Sequence, residues 1–159
     1  MPMEVSIQDN SKEVKKEADI AEEKVLFQWG LLGVEGCVEK ASEIDAATGR
    51  PTVDTGRYRA GFGFITPQSG RMSGTPASEK KAGDDFAQQR SEKKTVIIAN
   101  NVEYAEYLEF GTGAKKKGKH ARYIMKRGIE SKLDKIKSVF ESIFKGENVG
   151  MSIGNITKG

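Results

Sequence analysis

Tyr58-Arg59-Ala60-Gly61-Phe62-Gly63-Phe64-Ile65-Thr66 alternates aromatic side chains with arginine and glycine. A period of two predicts a β-strand over 58–66. The glycines on one face leave room for a neighbouring element to come close. Val53-Asp54-Thr55-Gly56 precedes it as a turn, with Asp and Thr oxygens facing backbone N–H groups. Thr95 to Asn100 is a second run, apolar and β-branched, closed by Asn100-Asn101. Residues 58–66 and 94–100 together predict a large antiparallel hairpin. Its tip, 67–93, is polar, holds Pro67, Pro76, Gly70, Gly74 and Gly83, and shows no periodicity. A loop of that length in a small domain is either functional or disordered.

Helical patterns flank this sheet. From Ser11 to Ala47, Val25, Leu26, Trp29, Leu32, Gly33, Gly36, Cys37, Ala41 and Ile44 follow the three-and-four spacing of one helix face. Asp9, Asn10 or Ser11 is the capping residue. Thr48-Gly49-Arg50-Pro51 ends the helix. Gly30, Gly33 and Gly36 each cost roughly 1 kcal/mol against alanine inside a helix. They predict either close approach of another backbone or a kink, and Gly30 and Gly33 are interface candidates. Residues 102–110 read as a short helix or turn, broken by Gly111-Thr112-Gly113. The clearest amphipathic pattern is a helix over 121–144, with Met125, Ile129, Leu133, Ile136, Phe140 and Ile143/Phe144 opposite lysines. The fold class is therefore α+β: a long N-terminal helix, a small antiparallel sheet with a long hairpin loop, and an amphipathic C-terminal helix. One domain spans 11–145, between a flexible N-terminus (1–10) and a flexible tail (146–159) suited to adding a strand to a neighbour.

With 159 residues the chain can bury one modest core. Its single cysteine, Cys37, excludes an internal disulfide and reads as a small core residue. No apolar run matches a signal peptide or a membrane span, so the expected setting is the cytoplasm. A lone His120 in a lysine-rich loop is no metal site. No nucleophile has a partner base, and Glu103, Glu106 and Glu109 read as a solvated or ion-paired helix face. No cofactor and no enzymatic activity are expected. The net charge of +3 hides an asymmetry. Residues 1–28 hold seven acids against four lysines, and 112–145 hold eleven bases against three acids. Lys115, Lys116, Lys117 and Lys119 form the basic cluster. Such polarity serves either nucleic-acid binding or contact between the opposite ends of neighbouring subunits.

Two motifs carry a family resemblance. The first is Val53-Asp54-Thr55-Gly56-Arg57-Tyr58-Arg59. The second is Asn101-Val102-Glu103-Tyr104-Ala105-Glu106-Tyr107-Leu108-Glu109-Phe110-Gly111-Thr112. Together they resemble a tail-component family of long-tailed bacteriophages, the neck or tail-completion proteins, over about Val53 to Phe144. Where the family pattern opens its last helix with Pro-Phe, this chain has Arg122-Tyr123-Ile124-Met125. The resemblance implies a structural virion protein of the neck, made in the host cytoplasm. It implies a homo-oligomeric ring of six subunits between the DNA-filled head and the tail tube. The implied neighbours are head-closure or connector proteins and tail-tube or tail-terminator proteins, with DNA passing through the channel. It also implies roles for motif residues. Asp54 and Thr55 pin the turn, and Gly56 supplies unusual backbone angles. Tyr104, Tyr107 and Phe110 pack the short helix onto the strands, and Gly111 permits a sharp exit. The alternatives are a stand-alone DNA-binding module using the Lys115–Lys119 loop and the lysine face of the last helix, and a regulatory, antitoxin-like partner.

Overall fold

The computed structural model describes residues 11–44, 46, 49, 56–72, 86, 88–111 and 121–145. The expectations for 1–10, for Asp54 and Thr55, for Thr112, for the lysine loop with His120 and for 146–159 lie outside the described residues. The order of elements is α1 (Ser11–Ser42), α2 (Gly56–Ala60), β1 (Phe62–Ile65), β2 (Gly70–Met72), β3 (Ile97–Asn100), α3 (Ala105–Phe110), α4 (Ile124–Glu130) and α5 (Leu133–Phe144). This is the α+β architecture that the sequence predicts.

Helix α1 has 32 residues, about 48 Å of rise. It stops at Ser42 rather than at Ala47, with the Ser42 hydroxyl donating to the Val38 carbonyl at 2.8 Å. Ile44 and Asp45, which follow Glu43, are weaker helix formers. From Val25 onward α1 buries Val25, Leu26, Leu32, Val34, Cys37 and Ala41.

The sheet has three antiparallel strands in the order β2-β1-β3. Phe62 faces Asn100 and Ile65 faces Ile97 across one edge of β1, while Phe64 faces Arg71 across the other. The long predicted hairpin is thus real as a β1–β3 pairing, but the loop between them contributes a strand of its own. Thr66 sets that turn. Its N–H donates to the Ser69 carbonyl at 2.6 Å, its hydroxyl oxygen accepts the Ser69 N–H at 2.9 Å, and its hydroxyl donates to Glu23 of α1.

Central β1 is buried on both faces. Phe62 and Phe64 turn toward α1, with Phe64 edge-on to Phe27 at 5.2 Å. Gly63 and Ile65 turn the other way. There Phe86, only 3 % exposed, covers Gly63, where a Cβ would come within 2.7 Å of its ring. One aromatic of the 67–93 segment is therefore a core residue.

Residues 58–60 are helical rather than extended. The Gly61 N–H closes an α-turn onto the Arg57 carbonyl at 2.9 Å, and the Asn100 side chain donates to the Tyr58 carbonyl at 2.8 Å. That side-chain bond replaces the ladder bond a longer strand would need, and it seats Tyr58 fully in the core. Gly56 begins α2 without a left-handed backbone; among the described glycines only Gly49 and Gly111 have positive φ.

The predicted single C-terminal helix is two. The Lys132 N–H bonds the Ile129 carbonyl at 3.0 Å, and the Ser131 hydroxyl donates to the Gly128 carbonyl at 2.7 Å. Serine hydroxyls that bond a preceding helix carbonyl bend helices, and this one lies at the turn between the two pieces. Both pieces pack on α1. Gly36 meets the backbone of Gly128, and a Cβ on Gly128 would lie 2.6 Å from Cys37 Cα. Gly30 and Gly33 instead admit side chains of the sheet, the Phe64 ring and the end of Ile98. The glycines of α1 are filled within the subunit, so the close backbone approach predicted for all three holds at Gly36 alone.

Candidate assembly site at the α3–α4 junction

The second motif builds this junction residue by residue. Asn100 Oδ1 accepts the Val102 N–H at 3.0 Å, which turns the chain out of β3. Val102 is buried and its carbonyl accepts the Ala105 N–H at 2.9 Å, starting α3. Tyr104 lies half-buried over Tyr58, ring centroids 6.3 Å apart. The helix closes after six residues, at Gly111 with φ 81° and ψ 170°. A side chain there would be strained, so the sharp exit expected of Gly111 requires glycine.

Glu109 is the centre of the junction. It is 7 % exposed, while Glu103 and Glu106 lie open to solvent. Its carbonyl accepts the Tyr123 N–H at 3.3 Å, next to a bond from Arg122 N–H to the Leu108 carbonyl at 3.0 Å. Its carboxylate accepts the Met125 N–H at 3.0 Å on Oε2 and the Lys126 N–H at 3.2 Å on Oε1. These are the orphan donors at the start of α4 that a capping Ser, Thr, Asp or Asn would normally satisfy. The cap position is held by Tyr123, in the left-handed region at φ 47°, ψ 44°, with no side-chain oxygen in reach. Glu109 therefore caps α4 from another helix, its charge also facing the positive end of that helix dipole. The reading of Glu109 as part of a solvated acidic face is corrected by this geometry. Arg122-Tyr123-Ile124 carries a usable signal: a helix start with no capping residue needs an acceptor from elsewhere.

The same charge faces inward. Burial pushes the Cys37 thiol up to about 12, and the Glu109 carboxylate adds to the shift. The Tyr58 phenol is raised by burial first and by Glu109 second. Both groups stay neutral, and the thiol is an inert packing residue whose Sγ lies 3.8 Å from the Met125 carbonyl.

Two motif side chains point the other way. Tyr107 is 59 % exposed and Phe110 is 57 % exposed, on the i, i+3 face of α3. They do not pack the helix onto the strands; within the motif, Tyr104 and the half-buried Leu108 do that. Tyr123, 40 % exposed, adds a third open ring at the junction. Of the other motif residues, Arg57 is exposed and its carbonyl closes the α2 turn. Thr112 and Lys115, Lys116, Lys117 and Lys119 follow this junction in sequence, outside the described residues.

Among the described residues no cluster of three or more His, Cys, Asp or Glu could hold a metal ion. No described helix is long and apolar enough to cross a membrane. Comparison with family models, curated proteins and solved structures finds no match for this chain.

Proposed function

We propose that the chain is a structural subunit of a phage neck, a tail-completion or connector-ring protein that works by binding copies of itself and adjacent neck proteins. The observation that carries this reading is the division of labour inside the second motif. Tyr104, Glu109 and Gly111 are accounted for by the fold of one subunit. Tyr107 and Phe110 are not, and an aromatic pair left open on a short helix is the composition that buried interface centres favour. The motif as a whole resembles the neck family, so its outward half is the part that meets a neighbour.

The test is assembly of the purified full chain, followed by light scattering and electron microscopy of negatively stained particles. Rings are expected, alone or with a head-closure or tail-terminator protein added. Tyr107→Ala with Phe110→Ala should abolish them while leaving the folded subunit intact. Rings unaffected by that pair of substitutions would remove the interface from this site.

A further inference from the structure

We propose that the first turns of α1 pair antiparallel with the same turns of a second copy of this chain. All of residues 11–20 are exposed, although they are helical. Helix without tertiary packing is marginal in water. Along this free rod, Val14, Ala18, Ala21 and Val25 recur at intervals of four, three and four. That is the alternation of the two apolar positions of a heptad. Val25 is already buried in the core, Ala21 is half-buried, and Ala18 and Val14 continue the same stripe into solvent. Val14 is 63 % exposed.

Charges beside the stripe select the partner and its direction. In this heptad Lys15 and Glu22 flank one side, and Glu17 and Lys24 flank the other. Among the described residues, none of the ion pairs uses these four side chains. Two antiparallel copies crossing between Ala18 and Ala21 put Lys15 against Glu22 of the partner and Glu17 against Lys24 of the partner. Two-fold symmetry makes each pair twice. Two parallel copies put Glu17 against Glu22 of the partner, a repulsion made twice. A self-complementary arrangement of this kind is satisfied by the same surface on another copy, which is why the occupant is a second copy rather than a foreign helix.

The body of the subunit supplies the outer layer. Helix α5 runs back along α1, from Lys132 and Lys135 paired with Glu35 to Phe140 beside Trp29 at 6.3 Å. Phe144 lies one turn farther along α5, its ring tilted against that of Phe140 at 4.5 Å and 61 % exposed. It stands toward the level of Val25, where Val14 of the partner arrives. The contact does not depend on the neck reading. It is isologous and closes at two, so together with a ring contact it would set two rings back to back.

Sedimentation of the full chain across roughly two decades of concentration, up to about 1 mM, tests it. A reversible dimer is expected. Lys15→Glu or Glu22→Lys alone should weaken it about tenfold, since each replaces two attractions by two repulsions. The double exchange K15E with E22K should restore it. Because residues 15 and 22 lie outside the core, the variants remain folded. Ala18→Cys chains mixed with Ala21→Cys chains should oxidise to a cross-linked heterodimer in higher yield than either alone. A monomer at all concentrations, a dimer indifferent to both charge changes, or a dimer strengthened by E22K, as the parallel arrangement requires, each overturns the proposal. Loss of rings in the Tyr107 and Phe110 variant with the dimer retained would overturn neither this contact nor its symmetry.

Discussion

Removal of the Glu109 carboxylate is the sharpest perturbation the junction offers. Glu109→Ala deletes two acceptors at 3.0 and 3.2 Å and leaves the Met125 and Lys126 N–H groups without partners at a buried helix start. Hydrogen bonds to charged groups contribute about 1.5–3 kcal/mol each, and loss of an ordinary cap costs about 0.5–2 kcal/mol. The desolvation of Glu109 itself offsets part of that gain, so the net loss should be about 3 kcal/mol. For a chain of this size that corresponds to a fall in Tm of about 6–12 °C. Glu109→Gln keeps one carbonyl acceptor and should lose about half as much. Urea unfolding followed by circular dichroism gives the number, and hydrogen exchange locates it, because the Met125 and Lys126 amides should exchange fastest in the variant. Glu106→Ala is the control, an exposed acid on the same helix, with an expected change within about 0.5 kcal/mol. Equal effects of E109A and E106A would refute the remote cap.

Gly128→Ala should destabilise by about 3 kcal/mol, since its Cβ would lie 2.6 Å from the Cα and N of Cys37, and a helix backbone moves only as a body. Gly33→Ala should cost less, because its nearest obstacle is the flexible end of Ile98; the reverse order in urea titrations would contradict the crossing of α1 and α4. Stability should fall at high pH: Cys37 ionises near 9.0 when unfolded and near 12 when folded, so its contribution is whole below pH 9 and is lost as pH climbs toward 12. Tyr58, also raised, acts in the same direction, and Cys37→Ala should flatten this limb of a stability-against-pH curve. Tyr58→Phe removes a buried hydroxyl that has no hydrogen-bond partner, so melting should show it neutral or slightly stabilising.

The parts legible in the sequence are those written as a period. The helix of residues 25–41, the strand of Phe62 and Phe64, the partner run Ile97–Asn100 and the apolar stripe of the last helices all stand where their spacing puts them. What a period cannot express was missed. Phe86 is one aromatic in an aperiodic polar segment, and its burial depends on Gly63 and Gly70 leaving space for it. The helical turn 56–60 has the alternation of a strand and is settled by one long-range bond from Asn100. The break at Ser131 falls within a continuous amphipathic pattern, at a hydroxyl that bonds a helix carbonyl. Glu109 was misplaced for a related reason. Spacing of three groups it with Glu103 and Glu106, yet only Glu109 stands at the end of α3, where the orphan amides of α4 arrive.

The charge asymmetry of the sequence acquires a different meaning in the fold. Its basic end meets acids of the same chain, in the second half of α1 and just past its end rather than in the acidic first turns. Arg127 pairs with Glu43 at 2.6 Å, Lys135 lies 3.9 Å from Glu35, and Lys132 lies between Glu39 at 2.7 Å and Glu35 at 3.4 Å. Burial pulls the Lys132 ammonium down, but its two carboxylates outweigh that and hold it above the ordinary lysine value. The exposed pairs contribute at most about 1 kcal/mol each, so they orient α4 and α5 on α1 more than they hold them. They also draw basic side chains away from any phosphate, since a neutralised lysine releases no counterion on binding DNA. A DNA-binding reading of the last helices would have to break these pairs first. A subunit interface has no such cost, because the pairs lie inside the subunit while Tyr107, Phe110 and the first turns of α1 stay open to a neighbour.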